Sequence, residues 1–311
     1  MNRLRAKAAG AARRLGIERA TRPAPPPFDR RTVLLAGVER DMRVLEIGPS
    51  YNPLAPRSEG WETCVVDHAT REELIEKYRD PAHGVDVSRI EDVDVVWTEG
   101  GLDEAIPREL HGFDVCLASH LIEHTPDLVG FVQGVTAVLC EDGWLSLAVP
   151  DMRYCFDLLR APTRVGQLLD AHARRASRHD LATLYDQRAY ATRLDGHIAW
   201  EPSADPRLVE LLGSLEGARE LLSGPPAEYV DCHAWQFTPA SFELAVLELS
   251  ALGLLDVHVA ASHDTVGCEF FVTLRRGADV PANAEELDRA RLDLLRRSVS
   301  EVAETWAAVL G

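Results

Sequence analysis

Long apolar runs are missing from this sequence. No stretch approaches the roughly 18 uninterrupted apolar residues that cross a bilayer, so no membrane-spanning helix is expected. Paired cysteines are missing too. Cys64, Cys116, Cys140, Cys155, Cys232 and Cys268 are scattered, with no C-x-x-C spacing. A cysteine zinc site is therefore not expected, and free thiols in apolar runs behave as small hydrophobes. No apolar segment follows the basic start, so a secretory leader is not expected and a reducing cytoplasm fits best. Basic charge is scarce: 33 Lys and Arg stand against 50 Asp and Glu, for a net charge of -17. Such an acidic body repels phosphates, which argues against a nucleic-acid partner.

What is present is ordinary for a folded domain: 311 residues, 46% hydrophobic and 27% charged. That is enough chain to bury a full core. Residues 1–30 stand apart as a basic arm ending in the proline linker "TRPAPPP". The arm reads either as a solvated helix or as a contact for an anionic membrane surface or a partner, and its composition also resembles a transit peptide. From residue 31 to 277, strand and helix patterns alternate. Strands are expected at 42–48, 62–67, 93–97, 113–119 and 144–150, with helices at 71–78 and 128–139. This rhythm implies βαβ units and a mainly parallel sheet.

After Pro150 the rhythm breaks. Residues 151–237 read as a charged, mostly helical insertion with no clear strand. A helix capped by Thr238 with Pro239 at its first position follows, and then two closing strands. The tail, 278–311, reads as an amphipathic helix. Its stripe of Leu292, Leu295, Val299, Val302, Trp306 and Val309 has a/d spacing, which suits docking on the protein's own body or a homodimer seam.

The stretch "RVLEIGPSYNPL" carries the first functional signal. An apolar strand runs into a turn that keeps Gly48 but has Ser50 and Pro53 where a dinucleotide fingerprint needs glycine. A nicotinamide or flavin site is disfavoured. Glu46 closes the first strand and Asp67 closes the second, so both stand at the ligand edge of an open parallel sheet. A carboxylate after the second strand suits a ribose diol.

With "FDVCLASHLIEHTPDL" and "LCEDGWLSLAVPD", these features resemble the class I S-adenosylmethionine-dependent methyltransferases over residues 40–151 and again over 238–275. "VPDMRYCFD" and "HAWQFTPASFELAVLEL" are similar to a bacterial subgroup found with polysaccharide and glycosyl-transfer genes. The resemblance implies a Rossmann-like α/β fold with the last strand antiparallel, and S-adenosyl-L-methionine as cofactor. Glu46, Gly48 and Ser50 would hold its amino-acid end and Asp67 its ribose. Glu99 or Gly100 would meet the adenine, and Ser119 and His120 the methionine part. In "HLIEH", His120 and His124 lack the Glu-after-His order of zinc proteases, so no metal is expected and Glu123 and His124 read as structural.

The loop after the fourth strand also lacks an N-P-P-Y-like sequence, which disfavours methylation of base amines. Asp151, Arg153 and Tyr154 leave the fifth strand where an acceptor would lie. The expected reaction is O-methylation of a sugar, glycan or related small metabolite. His233 is the first choice of base, with His197 and Asp151 behind it. N- or C-methylation of a natural product and a non-catalytic scaffold are the alternatives.

Overall fold

A computed structural model describes residues 28–80, 84–224 and 226–310. The basic segment 1–22 lies outside the described residues. A seven-stranded sheet organises the chain. Its strands are β1 (Arg43–Ile47), β2 (Glu62–Asp67), β3 (Val95–Val96), β4 (Phe113–Ser119), β5 (Leu139–Pro150), β8 (Val257–Val266) and β9 (Glu269–Arg276). The order is β3-β2-β1-β4-β5-β9-β8. Pairing is parallel from β3 to β5, while β9 runs antiparallel to both β5 and β8. This is the Rossmann-like arrangement of the class I methyltransferase fold, with its single reversed strand.

Side chains alternate across the sheet because successive Cβ atoms point to opposite faces. Leu45, Ile47, Cys116 and Ala118 face one layer, into which α4 (Leu128–Val138) and α8 (Pro239–Ala251) pack Val129, Val132, Phe242 and Leu249. Val44, Val115, Leu117 and Ala148 face the other, covered by Leu34 of α1 (Arg30–Leu34) together with Leu54 and Trp61. The body begins earlier than the expected boundary at residue 30. Asp29 caps α1, and the Phe28 ring lies 5.3 Å from that of Phe271. Between β2 and β4 lie α2 (Arg71–Tyr78), opened by a Thr70–Glu73 capping box, and the short α3 (Leu102–Ala105).

Three expectations are corrected. β3 pairs over only two residues rather than 93–97, because the Asp94 carboxylate takes the Val65 N–H at 2.7 Å that a ladder carbonyl would otherwise accept. β5 starts at Leu139 rather than 144. A register shift between Phe113 and Val115 lets it do so, and a Cβ on Gly143 would stand 3.0 Å from the Phe113 carbonyl oxygen. The insertion is not strand-free. Among α5 (Val165–Ala173), α6 (Leu181–Tyr190) and α7 (Leu215–Arg219), the strands β6 (Thr192–Leu194) and β7 (Val209–Leu211) form a small antiparallel sheet. Three residues per strand are too few to show a period of two.

The tail forms α9 (Ala284–Leu310) and docks along α8. Arg291 pairs with Glu248 at 2.8 Å and Arg297 with Glu243 at 3.0 Å, while Trp306 Nε1 donates to the Leu158 carbonyl. The docked face is rotated from the expected stripe. Val302 is buried, but Leu292, Leu295, Val299 and Trp306 are 46%, 43%, 66% and 38% exposed. Among the described residues, no helix is long and apolar enough to cross a membrane.

The crossover helix α8 gives a test of this architecture. Thr238 is fully buried, and its Oγ1 accepts the Ser241 N–H at the helix start. Thr238→Ala strands that donor away from water and is expected to cost about 1–2 kcal/mol. Urea unfolding should show it, and an unchanged midpoint would contradict the cap.

Candidate functional site at the strand carboxyl ends

The strand order reverses between β1 and β4, and ligands of open α/β sheets bind beyond the carboxyl ends at such a switch. Here the crevice is flanked by two non-glycine residues in the left-handed region, Ser50 at φ 47° and His120 at φ 50°. Such strain persists only where surrounding structure fixes it, and it clusters at ligand sites. Gly48 is also left-handed, at φ 66°, and its N–H donates to the Val66 carbonyl at 2.8 Å. A tight turn therefore leaves β1 and is stitched directly to β2.

Two buried carboxylates set the shape of that turn. Asp67 Oδ2 accepts the Ser50 N–H at 3.0 Å, and Oδ1 accepts the His68 N–H at 2.8 Å. Glu46 accepts from the backbone N–H groups of Leu54 at 2.6 Å and Ala55 at 3.1 Å. Burial pushes its carboxyl up to about 7, outweighing both amide bonds. Glu46, Gly48, Ser50 and Ser119 line one cavity of about 160 Å³ together with Arg30 and Tyr51. Four of the residues expected at a cofactor thus share a cavity, and Asp67 holds its turn.

Across the crevice, Arg30 makes a bidentate pair with Glu269, through Nε at 2.7 Å and Nη2 at 2.9 Å, and also donates to Ser119 Oγ at 2.7 Å. His120 Nε2 meets the same Glu269 carboxylate at 2.9 Å. Burial raises the Glu269 pKa, but the bonds from His120 and Arg30 outweigh it and hold the group at about 2.

A second cluster begins three residues on. Glu123 is 1% exposed, and neither carboxylate oxygen accepts a hydrogen bond from the protein. Its Oε1 lies 3.6 Å from His124 Nε2, 3.9 Å from His120 Nδ1 and 4.0 Å from His233 Nε2. His233 Nδ1 is held by Asp157 Oδ2 at 2.6 Å, and Asp157 Oδ1 pairs with the buried Arg160 at 2.7 Å. His124 Nδ1 lies 2.7 Å from Asp231. That contact holds Asp231 down at about 2 despite burial. Burial opposes charge on His124, yet the Asp231 and Glu123 carboxylates raise its pKa. The neighbouring His179 is pushed down to about 4 by burial and stays neutral.

The other expected residues fall elsewhere. Glu99 and Gly100 are exposed beyond β3, where the Trp97 indole donates to the Gly100 carbonyl. Asp151 is fully buried, with its oxygens taken by Arg153 and Thr265, so it anchors Arg153 and presents no free base. Arg153 and Tyr154 line a separate crevice with Trp200, Glu304 and Thr305. His197 is exposed at a tight Asp195-Gly196 turn, its backbone bridged to Leu194. Of the three candidate bases, His233 is the one that joins the buried cluster of Glu123 and Asp157.

Sequence reading missed Arg30, Glu269 and Asp157. Arg30 could have been found from Asp29, an N-cap before an apolar-periodic segment. Glu269 could have been found as the one acid in its strand, EFFVTLRR.

No family model matches the chain, and no curated protein matches it. Solved structures share its outline. A candidate zinc-dependent alcohol dehydrogenase from Rhodobacter sphaeroides is 16% identical, with a TM-score of 0.44, over 80% of this chain and 90% of its own. The 1,6-didemethyltoxoflavin-N1-methyltransferase of Burkholderia thailandensis is 15% identical with a TM-score of 0.38, over 89% and 88%. A Methanosarcina mazei S-adenosylmethionine-dependent methyltransferase is 13% identical with a TM-score of 0.37, over 78% and 95%. At these scores the likenesses fix neither activity nor ligand.

Glu269 supplies a pH test of the crevice. Its pKa is lower in the folded chain, about 2 against 4.5, so its contribution is fully present above pH 4.5. The contribution is lost as pH falls from 4.5 toward 2, and is on the order of 3 kcal/mol. Glu269→Gln should lose that stability at neutral pH and converge with the parent near pH 2 in urea unfolding. Parallel pH profiles would contradict the Arg30–Glu269–His120 linkage.

Proposed function

We propose that the chain is an S-adenosylmethionine-dependent methyltransferase that methylates a hydroxyl of a sugar, glycan or related small metabolite. The observation that carries this reading is the pair of buried acids, Glu46 and Asp67, on adjacent parallel strands beside the β1/β4 switch. The donor set fits the cofactor. Asp67 Oδ2 accepts one backbone N–H and retains lone-pair capacity for a ribose hydroxyl, while Oδ1 is met by the His68 N–H and by His68 Nδ1 at 2.6 Å. Arg30, already in the cavity, suits the methionyl carboxylate. Ser119 and His120 would then flank the methionine part, with adenine toward Glu99 and Gly100.

S-adenosylmethionine would supply a methyl group on its sulfonium, with the neutral thioether as leaving group, and the acceptor's hydroxyl proton would have to go to a base. His233 is the candidate, with Nδ1 fixed on Asp157 and Nε2 turned toward Glu123. Glu123 Oε1 lies 4.0 Å from that Nε2 and 3.9 Å from Nδ1 of His120, the residue after the cavity-lining Ser119. The crevice of Arg153, Tyr154, Trp200 and Glu304 offers charged donors and aromatic faces suited to a polyhydroxylated acceptor.

Calorimetry tests the cofactor half of this reading. Asp67→Ala removes a charged acceptor worth about 1.5–3 kcal/mol, so it should weaken S-adenosylmethionine about tenfold or more. Unchanged affinity would remove the ribose assignment. Mass spectrometry of sugar acceptors should then show a gain of one methyl with the parent chain.

A further inference from the structure

The geometry points to a divalent-cation site of zinc type, made by Glu123 Oε1, His124 Nε2 and His233 Nε2. Sequence spacing set His120 beside His124 and led to no metal being expected. The fold instead delivers His233 from the insertion, and the donor atoms of Glu123, His124 and His233 lie within 4.8 Å of one another. Zinc bonds of ~2.0–2.2 Å put tetrahedral ligands about 3.4 Å apart. The observed 3.6 Å and 4.0 Å separations from Glu123 Oε1 are near that spacing, and the two histidine nitrogens, within 4.8 Å of each other, would be drawn together by the ion.

Two further features fit a cation. A buried carboxylate is costly unless compensated, yet both oxygens of Glu123 lack a hydrogen-bond donor. His233 is also backed at its other nitrogen by a hydrogen bond with Asp157, and His124 Nδ1 lies 2.7 Å from Asp231. That is the outer-shell support that orients metal-bound imidazoles and raises their basicity. The other donor set, Cys155 with Asp157 and His233, is less suited. Asp157 is already committed to Arg160 and to His233 Nδ1. Two histidines and one carboxylate leave a coordination position for water or a ligand hydroxyl, as in catalytic rather than structural zinc sites. Main-chain contacts fix the arrangement, since the Ala234 N–H donates to the Glu123 carbonyl and the Trp235 indole to Thr125.

Cation binding at this site can be read without turnover. A cation and a proton cannot share His233 Nε2, so cation loading is expected to suppress any action of His233 as a base.

The test is a titration of tag-free, chelator-treated full chain with Co²⁺, followed by visible absorption, with Zn²⁺ as competitor. One equivalent should bind with the intense absorption of low-coordinate cobalt, and zinc should bleach it. Glu123→Gln and His124→Gln should each weaken binding at least tenfold. Glu123→Gln keeps the shape of a side chain that accepts no hydrogen bond from the protein, so without metal it should fold as well as the parent by circular dichroism. It decides the question even if His124→Gln is unstable. No cobalt uptake by the parent, or equal affinity in Glu123→Gln, would overturn the site. Neither outcome bears on S-adenosylmethionine calorimetry, which tests the other reading separately.

Discussion

The crevice depends on backbone N–H groups being held by buried carboxylates. Asp67 grips the amide of Ser50, and Glu46 grips those of Leu54 and Ala55. Without those bonds the turn after β1 would have buried donors with no acceptor, and it would close or unfold. Glu46 also lines the cavity that Arg30 enters. One set of interactions therefore shapes the turn and equips it for a polar, hydroxyl-bearing ligand.

The strained residues follow from this arrangement. Ser50 takes a left-handed conformation that glycine adopts more easily, and Asp67 is the group that holds it there. His120 is strained on the opposite wall and is tied to Glu269, itself clamped by Arg30. The antiparallel β9 matters here, because its reversal brings Glu269 beside the end of β5 and so to the same edge as Ser119. A strand that continued the parallel order would start at the far edge of the sheet.

Much of this was legible in the sequence, and the reasons are local. β2, β4 and α2 lie where patterning put them, because β-branched runs and the Thr70–Glu73 capping box act within a few residues. The acids at strand ends were legible for the same reason. What escaped was nonlocal. Arg30 and Glu269 are 239 positions apart, and His233 reaches Asp157 across 76. No periodicity reports such pairs. The rotated face of α9 escaped because long polar side chains, rather than the apolar stripe, make its contacts with α8.

One loop joins the two clusters, since His120 meets Glu269 at 2.9 Å and lies 3.9 Å from Glu123, which in turn faces His233. The most direct test of the account is a crystal structure with S-adenosylhomocysteine. It should show the ribose diol on Asp67, the thioether sulfur beside Ser119 and His120, and the carboxylate toward Arg30. A ligand bound elsewhere, or with its diol turned away from Asp67, would contradict the account.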